Sequence, residues 1–567
     1  MDTKGLTHAT AIGVAACAAA AFCAAPLVGP ARPEAPRSAQ PVTASASNWS
    51  DGKWGDATAD DVAKDAYGKH AAQQDPGSLF TVEKAIGVRG AWGKHDRNNL
   101  NVTGQGIGVA LLDSGINSAV PGLNLPGKVT YGPDLSIEAN GPLVDQDTYG
   151  HGTFLAGIIA GRGATNPSAD LPGAPANVQL GVAPDAKLLA VKLATTDGST
   201  DVSQVIAGID WVVEHPVLPD GTRIRVINLA YGTDSAQSYQ VDPLAAAAEN
   251  AWRQGIVVVT SAGNSGASTG RLTDPAIDPY VLAVAAADSS DRLDGWAHDH
   301  TRAASYSNVS STGRHPDLLA PGTSLVSLRD PGSFVDANHP EGRVSGDTTG
   351  TLFRGSGTSQ AAAVVSGAVA DLLQAYPSLT PDQVKYALTS SAEDLANANN
   401  NAAAVGAGIL NLPKAMDTAQ HLTATDSTAT QLRAAAVQTY PQASGTGSIE
   451  AARAGSTLID ADGNEITGEV DVQGNPWDGT AWYRAATTLT AWSGGQWLGS
   501  TWTGTGWQTS TDDNGLNSTR WASARWASAR WASARWADAS WTSARWASAR
   551  WASARWASAR WADTSWS

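Results

Sequence analysis

The sequence predicts an α/β fold, with an open, mostly parallel sheet covered by helices on both faces. Two observations lead to this prediction. Between residues 80 and 418, short apolar runs recur without polar alternation, as expected for strands that are buried on both faces. Segments of helical length separate these runs, and strands that alternate with helices indicate a parallel sheet.

The predicted elements follow one another along this range. The apolar runs predicted as strands are 106–112, 187–193, 225–230, 255–260 and 281–286. The segments predicted as helices are 152–161, 201–213 and 242–254. A further helix begins after Thr380, because Pro381 and Gln383 follow it in the pattern of a capping box. Open α/β sheets place their sites at the carboxyl ends of strands, so we expect the functional residues there.

The length of 567 residues exceeds what one hydrophobic core usually supports, so several units are expected. The linker prediction rests on a stretch rich in Ala, Ser, Thr and Gly, and its hairpin on the Asp462–Gly463 pair as a turn. The predicted units are 1–35 as a signal peptide, 36–79 as a short extension or pro-segment, 80–418 as the α/β domain, 419–470 as a linker with a small β-hairpin, and 471–567 as a Trp-rich pentad-repeat tail.

The N-terminal sequence predicts that the protein is secreted. Lys4 and His8 precede an Ala-rich run, 9–25, and small residues follow where a signal peptidase could cut. A retained membrane anchor and a lipid anchor on Cys17 are the alternatives. Cys17 and Cys23 are the only cysteines in the chain, so a protein that has lost this segment would have no thiol chemistry and no disulfide.

Charge is distributed unevenly. The chain carries a formal net charge of −16, whereas its last stretch, 515–567, holds eight Arg against Asp538 and Asp563. The acidic charge of the rest of the chain argues against nucleic acid as a partner.

We expect the protein to be a monomer that acts outside the cell.

Four residues outside the N-terminus could carry chemistry. Asp113 and Asn264 each follow a predicted strand, His151 lies between two glycines at a helix start, and Ser359 begins an Ala-rich helix. Each taken alone also has a structural interpretation, such as a helix cap or a turn residue. Together they fit one mechanism. A serine hydroxyl needs an imidazole to take its proton, the imidazole needs a carboxylate, and the oxyanion needs donors.

The motifs "DSGI", "GHGT", "SAGN" and "GTSQAAA", in this order, resemble those of the subtilases, the subtilisin-like serine peptidases. The resemblance spans roughly residues 80–418 and implies a subtilisin-like fold. It implies Asp113 as the orienting carboxylate, His151 as general base and then acid, Ser359 as nucleophile and Asn264 as oxyanion donor. It also implies polypeptide substrates, bound along backbone edges by strand addition. The implied substrate-binding residues are Gly198, Ser199 and Thr200 on one edge, Ala230, Tyr231 and Gly232 on the other, and Ser261, Ala262 and Gly263 along the primary specificity pocket.

The chain departs from the family pattern beside the nucleophile and on one edge. Gln360 stands where the family usually has Met, and Ala363 where it usually has Pro. Ala230 and Tyr231 replace the usual Ser and Leu, so the larger ring is expected to narrow the subsites. The stretch before residue 80 is short for the family's pro-domain, which leaves the need for such a domain open.

No cofactor can be assigned from the sequence. Structural calcium is implied only by the family resemblance, and no site for it can be named. The segment "AHDH" at 297–300 has no third metal ligand at a readable spacing, so we interpret it as an exposed loop.

Tryptophan recurs every five residues from Trp521 to Trp566. Five residues advance a helix by 500°, so no apolar stripe forms, and an odd period alternates the faces of a strand. The remaining interpretations are a low-complexity tail and a β-solenoid-like tail. Exposed Trp and Arg could also bind a cell-envelope polymer and keep the protein at the cell wall. The alternative function is accordingly a non-catalytic adhesion protein with a peptidase fold.

Overall fold

A mostly parallel sheet forms the centre of the structure, as predicted. In the described residues its strand order is β2-β3-β1-β4-β5-β6-β7, with β8 also paired to β6, and the β6–β7 pair is antiparallel. Its strands are β1 Ile107–Asp113, β2 Val129–Asp134, β3 Lys187–Lys192, β4 Arg223–Leu229, β5 Val257–Ser261, β6 Leu282–Asp288, β7 Arg302–Ala303 and β8 Leu318–Pro321.

The structure is a computed structural model, and it describes part of the 567 residues. The described residues are 67, 69–136, 138–139, 143–163, 171–198, 200–268, 270–288, 301–311, 313–395, 402–454, 457–459, 465–503, 506–507 and 523–525. They belong to a compact unit that begins at Asp51. The predicted signal peptide, residues 1–35, lies outside the described residues.

Helices cover the sheet. The helices up to residue 375 are α1 Lys69–Gln74, α2 Leu79–Ala85, α3 Val88–Ala91, α4 His151–Ala160, α5 Val202–Glu214, α6 Pro243–Arg253, α7 Phe334–Asn338 and α8 Thr358–Ala375. Helices α4 and α8 pack on each other and on the sheet, and so do α5 and α6. Every residue of the central strand β1 is buried, which explains why its sequence is apolar without alternation.

The predicted helix starts have a clear physical origin. Helix α5 begins after Asp201, which forms a capping box with Gln204. Helix α9, Pro381–Ser390, begins after Thr380, and the capping box with Gln383 is present. Helix α8 has no side-chain cap and is buried over nearly its whole length, so packing fixes its position.

The structure differs from the linker prediction for 419–470. Helix α11, Leu412–Thr423, spans the predicted boundary at residue 418, and α12, Ser427–Ala436, follows it. Buried apolar residues such as Met416 and Leu422 hold α11 in place. The short helices are α10 Ala402–Val405 and α13 Ile449–Ala452. A composition rich in Ala, Ser and Thr therefore forms packed helices here, because alanine is a strong helix former.

The boundary predicted at residue 79 also differs from the structure. Helix α1 and Asp75 lie before it, yet Asp75 is 2% exposed and forms an ion pair with Arg354 at 2.5 Å. Arg354 lies on β10, Leu352–Gly355, which pairs with β9, Leu325–Leu328. The end of the predicted extension is thus part of the packed unit.

Two short sheets complete the described chain. The predicted hairpin pairs β11 Thr457–Ile459 with β12 Glu465–Ile466, and β17 Ser523–Arg525 pairs with the other side of β11. The turn between β11 and β12 lies outside the described residues. The second sheet is a meander of β13 Trp492–Ser493, β14 Gln496–Trp497, β15 Ser500–Thr503 and β16 Gly506–Trp507.

The meander differs from both predictions for the tail over this stretch. Trp492 pairs with Trp497 and Trp502 with Trp507 across antiparallel strands, so the five-residue spacing fits short strands joined by tight turns. Residues 508–522 and 526–567, which carry most of the repeat, lie outside the described residues.

Residues 443–454 and 465–497 pack against α5 and α6, and we call them the docking segment. Within it, α14 spans Gly479–Thr487 and packs on α6. Trp482 and Trp497 are fully buried there. Over the described ranges, no helix has the length and apolar character needed to cross a membrane.

Candidate active site

Asp113 and His151 are in direct contact. Asp113 ends β1 at the carboxyl edge of the sheet, and His151 begins α4. Nδ1 of His151 lies 2.8 Å from Oδ1 and 3.0 Å from Oδ2 of Asp113, with both side chains fully buried. Burial raises the pKa of Asp113, while the charge and the hydrogen bond of His151 and the Ser114 N–H act in the opposite direction. The carboxylate therefore holds one ring nitrogen and fixes the orientation of the imidazole.

Glycines allow this close approach, as the sequence predicted. Gly150 has a φ of 101°, which favours glycine, at the residue before α4. A Cβ on Gly152 would collide with the carbonyl oxygen of Gly115 and would come within 3.3 Å of Asp113 Oδ1. A larger residue at either position would push His151 away from β1.

Asp147 anchors the start of α4, and sequence reasoning missed it. Its carboxylate accepts hydrogen bonds from the N–H groups of Gly150 and Thr153 at 2.7 Å each, and from the Ser114 hydroxyl at 2.8 Å. Ser114 directly follows Asp113, so one buried network holds both partners of the Asp113–His151 contact. An acidic residue a few positions before a glycine-flanked helix start, where N–H groups lack partners, is the signal that could have revealed it.

Ser359 lies in the first turn of α8 and is 1% exposed. Its Oγ donates a long hydrogen bond of 3.5 Å to the carbonyl oxygen of Ala230. The start of a helix presents N–H groups and the positive end of the helix dipole, which stabilise negative charge. The hydroxyl therefore lies beside groups that can hold an oxyanion.

Asn264 is attached to the same helix start. Its Oδ1 accepts hydrogen bonds from the N–H and the hydroxyl of Thr358, at 2.8 and 2.9 Å. The amide nitrogen of Asn264 lies on the side of Gly357, where a Cβ on that glycine would come within 3.6 Å of it. Sequence reasoning also missed Thr358 as the anchor, although the residue before the predicted nucleophile was the place to look.

The predicted substrate edges lie beside these groups. Ala230 to Gly232 follow β4 and Ser261 to Gly263 end and follow β5, and these two strands are neighbours in the sheet. Tyr231 is fully buried, so its ring belongs to the core rather than to an open subsite wall. Gly198, with a φ of 81°, lies against the ring of Tyr149, and Thr200 is buried. Ser199 lies outside the described residues.

Gln360 and Ala363, which depart from the family pattern, are both fully buried on α8. A Cβ on Gly357 would lie only 2.5 Å from Oε1 of Gln360. The absence of a side chain at Gly357 therefore leaves space for Gln360. Neither residue interrupts the helix.

Metal ligation receives no support from the described residues, where no group of three or more His, Cys, Asp or Glu side chains could hold an ion. The "AHDH" segment lies outside the described residues.

The chain has clear relatives. The profile of the Subtilase family matches residues 104–408, which is more than half of the chain. The chain is 33% identical over 320 residues to the serine protease AprX of Bacillus subtilis, covering 56% of this chain and 67% of that protein. It is 33% identical over 297 residues to subtilisin E of the same species, covering 52% of this chain and 62% of the relative.

A solved structure is also similar. Fervidolysin from Fervidobacterium pennivorans, described as a keratinolytic enzyme related to subtilisin, matches with a TM-score of 0.44 and 26% identity. The match covers 64% of this chain and 46% of that one. On the strength of the family profile and the relatives in Bacillus, this chain belongs to the subtilase family of serine endopeptidases.

Proposed function

We propose that the chain hydrolyses peptide bonds with Asp113, His151 and Ser359 as its catalytic triad and Asn264 as an oxyanion donor. The observation that carries the proposal is the double anchoring of the site. His151 is held by Asp113 at the end of β1, and Asn264 is held at the helix start that contains Ser359. A general base and an oxyanion donor are thus fixed before any substrate binds, which is the arrangement that lowers the barrier of acyl transfer.

The steps follow from these positions. Oγ of Ser359 attacks the carbonyl carbon of the peptide, and its proton passes to Nε2 of His151. Asp113 accepts the Nδ1–H bond and stabilises the imidazolium. The amide nitrogen of Asn264 and the N–H of Ser359 donate to the oxyanion. The C–N bond then breaks as His151 returns the proton to the leaving amine, which gives the acyl-enzyme.

Water completes the cycle. It attacks the acyl carbon while His151 takes one of its protons, and the second tetrahedral intermediate collapses. The Ser359 oxygen leaves and regains a proton from His151, and the acid product departs. The extended peptide is held along the edges at 198–200 and 230–232 by main-chain hydrogen bonds.

A fluorophosphonate probe tests the nucleophile directly. We expect it to label Ser359 in the wild-type protein and not in Ser359→Ala or His151→Ala, with thermal unfolding of all three compared as a control for folding. A Ser359→Ala variant that digests casein at the wild-type rate would refute the proposal.

Asn264→Ala tests the oxyanion donor. Turnover should fall by about 10²–10³ with little change in KM, a magnitude that comes from a subtilisin rather than from this chain. Because Asn264 also anchors Thr358, Asn264→Asp is the matched variant. It keeps an oxygen that can accept from Thr358 and replaces the donating amide by a carboxylate oxygen, whose negative charge should lower turnover at least as much as Asn264→Ala does.

We further propose that the enzyme acts outside the cell, sent there by the Ala-rich run at 9–25, and that the Trp- and Arg-rich end of the chain holds it on an anionic or carbohydrate polymer of the envelope. N-terminal sequencing of the exported protein tests the first part. A chain ending after residue 507 should be released from isolated cell walls at lower salt than the full chain if the second part is correct.

A further inference from the structure

Thr200, the last residue of the proposed substrate edge, directly precedes the start of α5, and the residue at the junction is Asp201. Thr200 and Asp201 are both tied to Gln204, whose Oε1 accepts from the Thr200 hydroxyl at 3.1 Å and from the Asp201 N–H at 2.6 Å. The other end of this loop is held separately, since Glu138 accepts from the Thr196 N–H at 2.7 Å. The position of the edge therefore depends on what fixes Asp201.

Arg453, from the docking segment, fixes it. Its Nε lies 2.7 Å from Oδ1 of Asp201 and its Nη2 lies 3.2 Å from Oδ2, which is a two-pronged ion pair. The side chains are 1% and 3% exposed. Although burial alone would raise the pKa of Asp201, the Arg453 guanidinium and Ser203 outweigh it and hold that pKa below its usual value.

The surrounding chain supports Arg453 in this position. The guanidinium also donates to the carbonyl oxygen of Val470 and, at 3.1 Å, to Glu450. The Val472 N–H donates to the Ser203 hydroxyl at 2.9 Å, and that hydroxyl donates to Asp201 at 2.5 Å. The docking segment thus contacts the start of α5 in two ways. One is the ion pair of Arg453 with Asp201, and the other is the series of hydrogen bonds from Val472 through Ser203 to Asp201.

The same charge affects the opposite edge. Burial raises the pKa of Tyr231, and Asp201 and Asp274 raise it further while Arg453 lowers it. The Asp201–Arg453 pair is therefore close enough to the 230–232 edge for its field to act there. Tyr231, on the other proposed edge, therefore lies within the field of the Asp201–Arg453 pair.

We propose that Arg453 is a positioning residue for substrate binding: through its ion pair with Asp201 it fixes the start of α5 and, through Gln204, the position of Thr200 at the end of the proposed substrate edge. The inference rests on the proposed function, because it assumes that an extended peptide lies along that edge. It assigns to the docking segment a role in the peptidase site, although the segment lies outside the part of the chain that matches the family.

Arg453→Gln in the full-length chain tests this proposal with two substrates. A tetrapeptide p-nitroanilide that the wild type cleaves uses the edge, whereas p-nitrophenyl acetate has no peptide backbone to place on it. We expect KM for the tetrapeptide to rise about tenfold with kcat nearly unchanged, and the acetate kinetics and fluorophosphonate labelling of Ser359 to stay at wild-type levels.

A matched control is available. Arg433→Gln removes an arginine on α12 whose guanidinium donates to the carbonyl oxygens of Leu422, in α11, and Ala424, which follows α11, rather than to α5. It should leave the tetrapeptide KM unchanged. An equal effect of Arg453→Gln on both substrates, or no effect on the tetrapeptide, overturns the proposal. Absence of labelling in the wild type overturns the proposed function instead.

Asp201→Asn keeps the test decisive even if Arg453→Gln does not fold. Asparagine is as good a helix cap as aspartate, so this variant removes the charge of the pair and retains the cap. It should show the same selective loss on the tetrapeptide. Adding Arg453→Lys to it should cause no further rise in KM, because the arginine acts only through Asp201. A normal tetrapeptide KM in Asp201→Asn contradicts the proposal.

Discussion

Two buried carboxylates, Asp201 and Asp210, lie at the start of helix α5 and within it, and the docking segment contacts each with a different kind of group. Asp201, before the first turn, is paired with the Arg453 cation. Asp210, two turns later, accepts hydrogen bonds from the indole N–H groups of Trp482 and Trp497, at 2.9 Å each, on the same Oδ2 atom. One contact supplies charge and the other supplies only dipoles.

The difference appears in the pKa values. The pKa of Asp201 is held below its usual value, whereas burial raises the pKa of Asp210 to about 7 against the two indole donors. The stabilisation from Asp201 is therefore present above its ordinary pKa and is lost as the pH falls. The stabilisation from Asp210 is present at low pH and is lost as the pH rises toward 7. Neutral donors do not replace a cation when a carboxylate is fully buried.

Removal of the docking segment should have the largest effect, because it breaks both contacts. A chain ending after residue 436 keeps α11 and α12 but leaves Asp201 and Asp210 without these partners and exposes the surface under Trp482 and Trp497. We expect no stable fold, because the truncation exposes the apolar surface under Trp482 and Trp497 and removes the Asp201–Arg453 ion pair and both indole hydrogen bonds, whereas a domain has only about 5–15 kcal/mol of stability in total. Thermal unfolding and Ser359 labelling measure this.

A chain ending after residue 507 is the control for that truncation, because it keeps both contacts and should unfold like the full-length protein. A stable, active chain ending at residue 436 would show that the docking segment contacts the α/β domain without contributing to its stability.

Arg453→Met isolates the ionic contact. It should lower the free energy of unfolding by about 3–5 kcal/mol, because it leaves the Asp201 carboxylate buried without a cation. The double variant Asp201→Asn/Arg453→Met should be more stable than Arg453→Met alone, since no buried charge is left. Urea denaturation at pH 7 gives both values. Additive losses in the double variant would be inconsistent with a direct ion pair.

Asp210→Asn tests the neutral contact through pH. Because the folded-state pKa of Asp210 is about 7, well above its ordinary value, the wild type should gain stability relative to Asp210→Asn as the pH falls from 8 to 5. The gain is limited to about 1.4 kcal/mol per pH unit. Comparing the two proteins cancels the other titrating groups. A difference that does not vary with pH would mean that Asp210 stays charged.

Trp482→Phe and Trp497→Phe should have the smallest effects. Each keeps an aromatic ring but leaves a small cavity, and each removes one N–H donor to Asp210, whose lost hydrogen bond alone costs about 1 kcal/mol. Trp477 is the matched control. Its ring centroid lies 5.5 Å from that of Trp482 and 6.1 Å from that of Trp497, and its indole nitrogen has no hydrogen-bond partner among the described residues. Trp477→Phe should therefore cost less than either variant.

Local sequence predicted much of the candidate site because its residues lie at element ends. Asp113 ends a strand, His151 and Ser359 begin helices, and Asn264 follows a strand. Because parallel strands bring their carboxyl ends to one edge of the sheet, the order of the elements predicts that these residues lie close together. The structure brings Asp113 to His151, and it brings Asn264 to Thr358, the residue before Ser359. Sequence reasoning missed the supporting residues Asp147 and Thr358. Asp147 binds N–H groups at the start of α4, for which a local signal existed, whereas the contact of Thr358 with Oδ1 of Asn264 spans 94 positions and depends on the tertiary fold.

The sequence by itself predicted the α/β sheet and the approximate positions of five of its strands, β1 and β3 to β6, because burial on both faces leaves a local apolar pattern. The four candidate site residues are a prediction from their motifs and their places at element ends. Tertiary structure alone decided that residues beyond 418 join the α/β domain. Ala-rich helices and widely spaced Trp have no recognisable period, and the contact between Arg453 and Asp201 spans 252 positions in the chain. Asp201 is paired with a cation and Asp210 with two indoles because of packing between segments that are far apart in the chain. No local sequence pattern indicates such contacts.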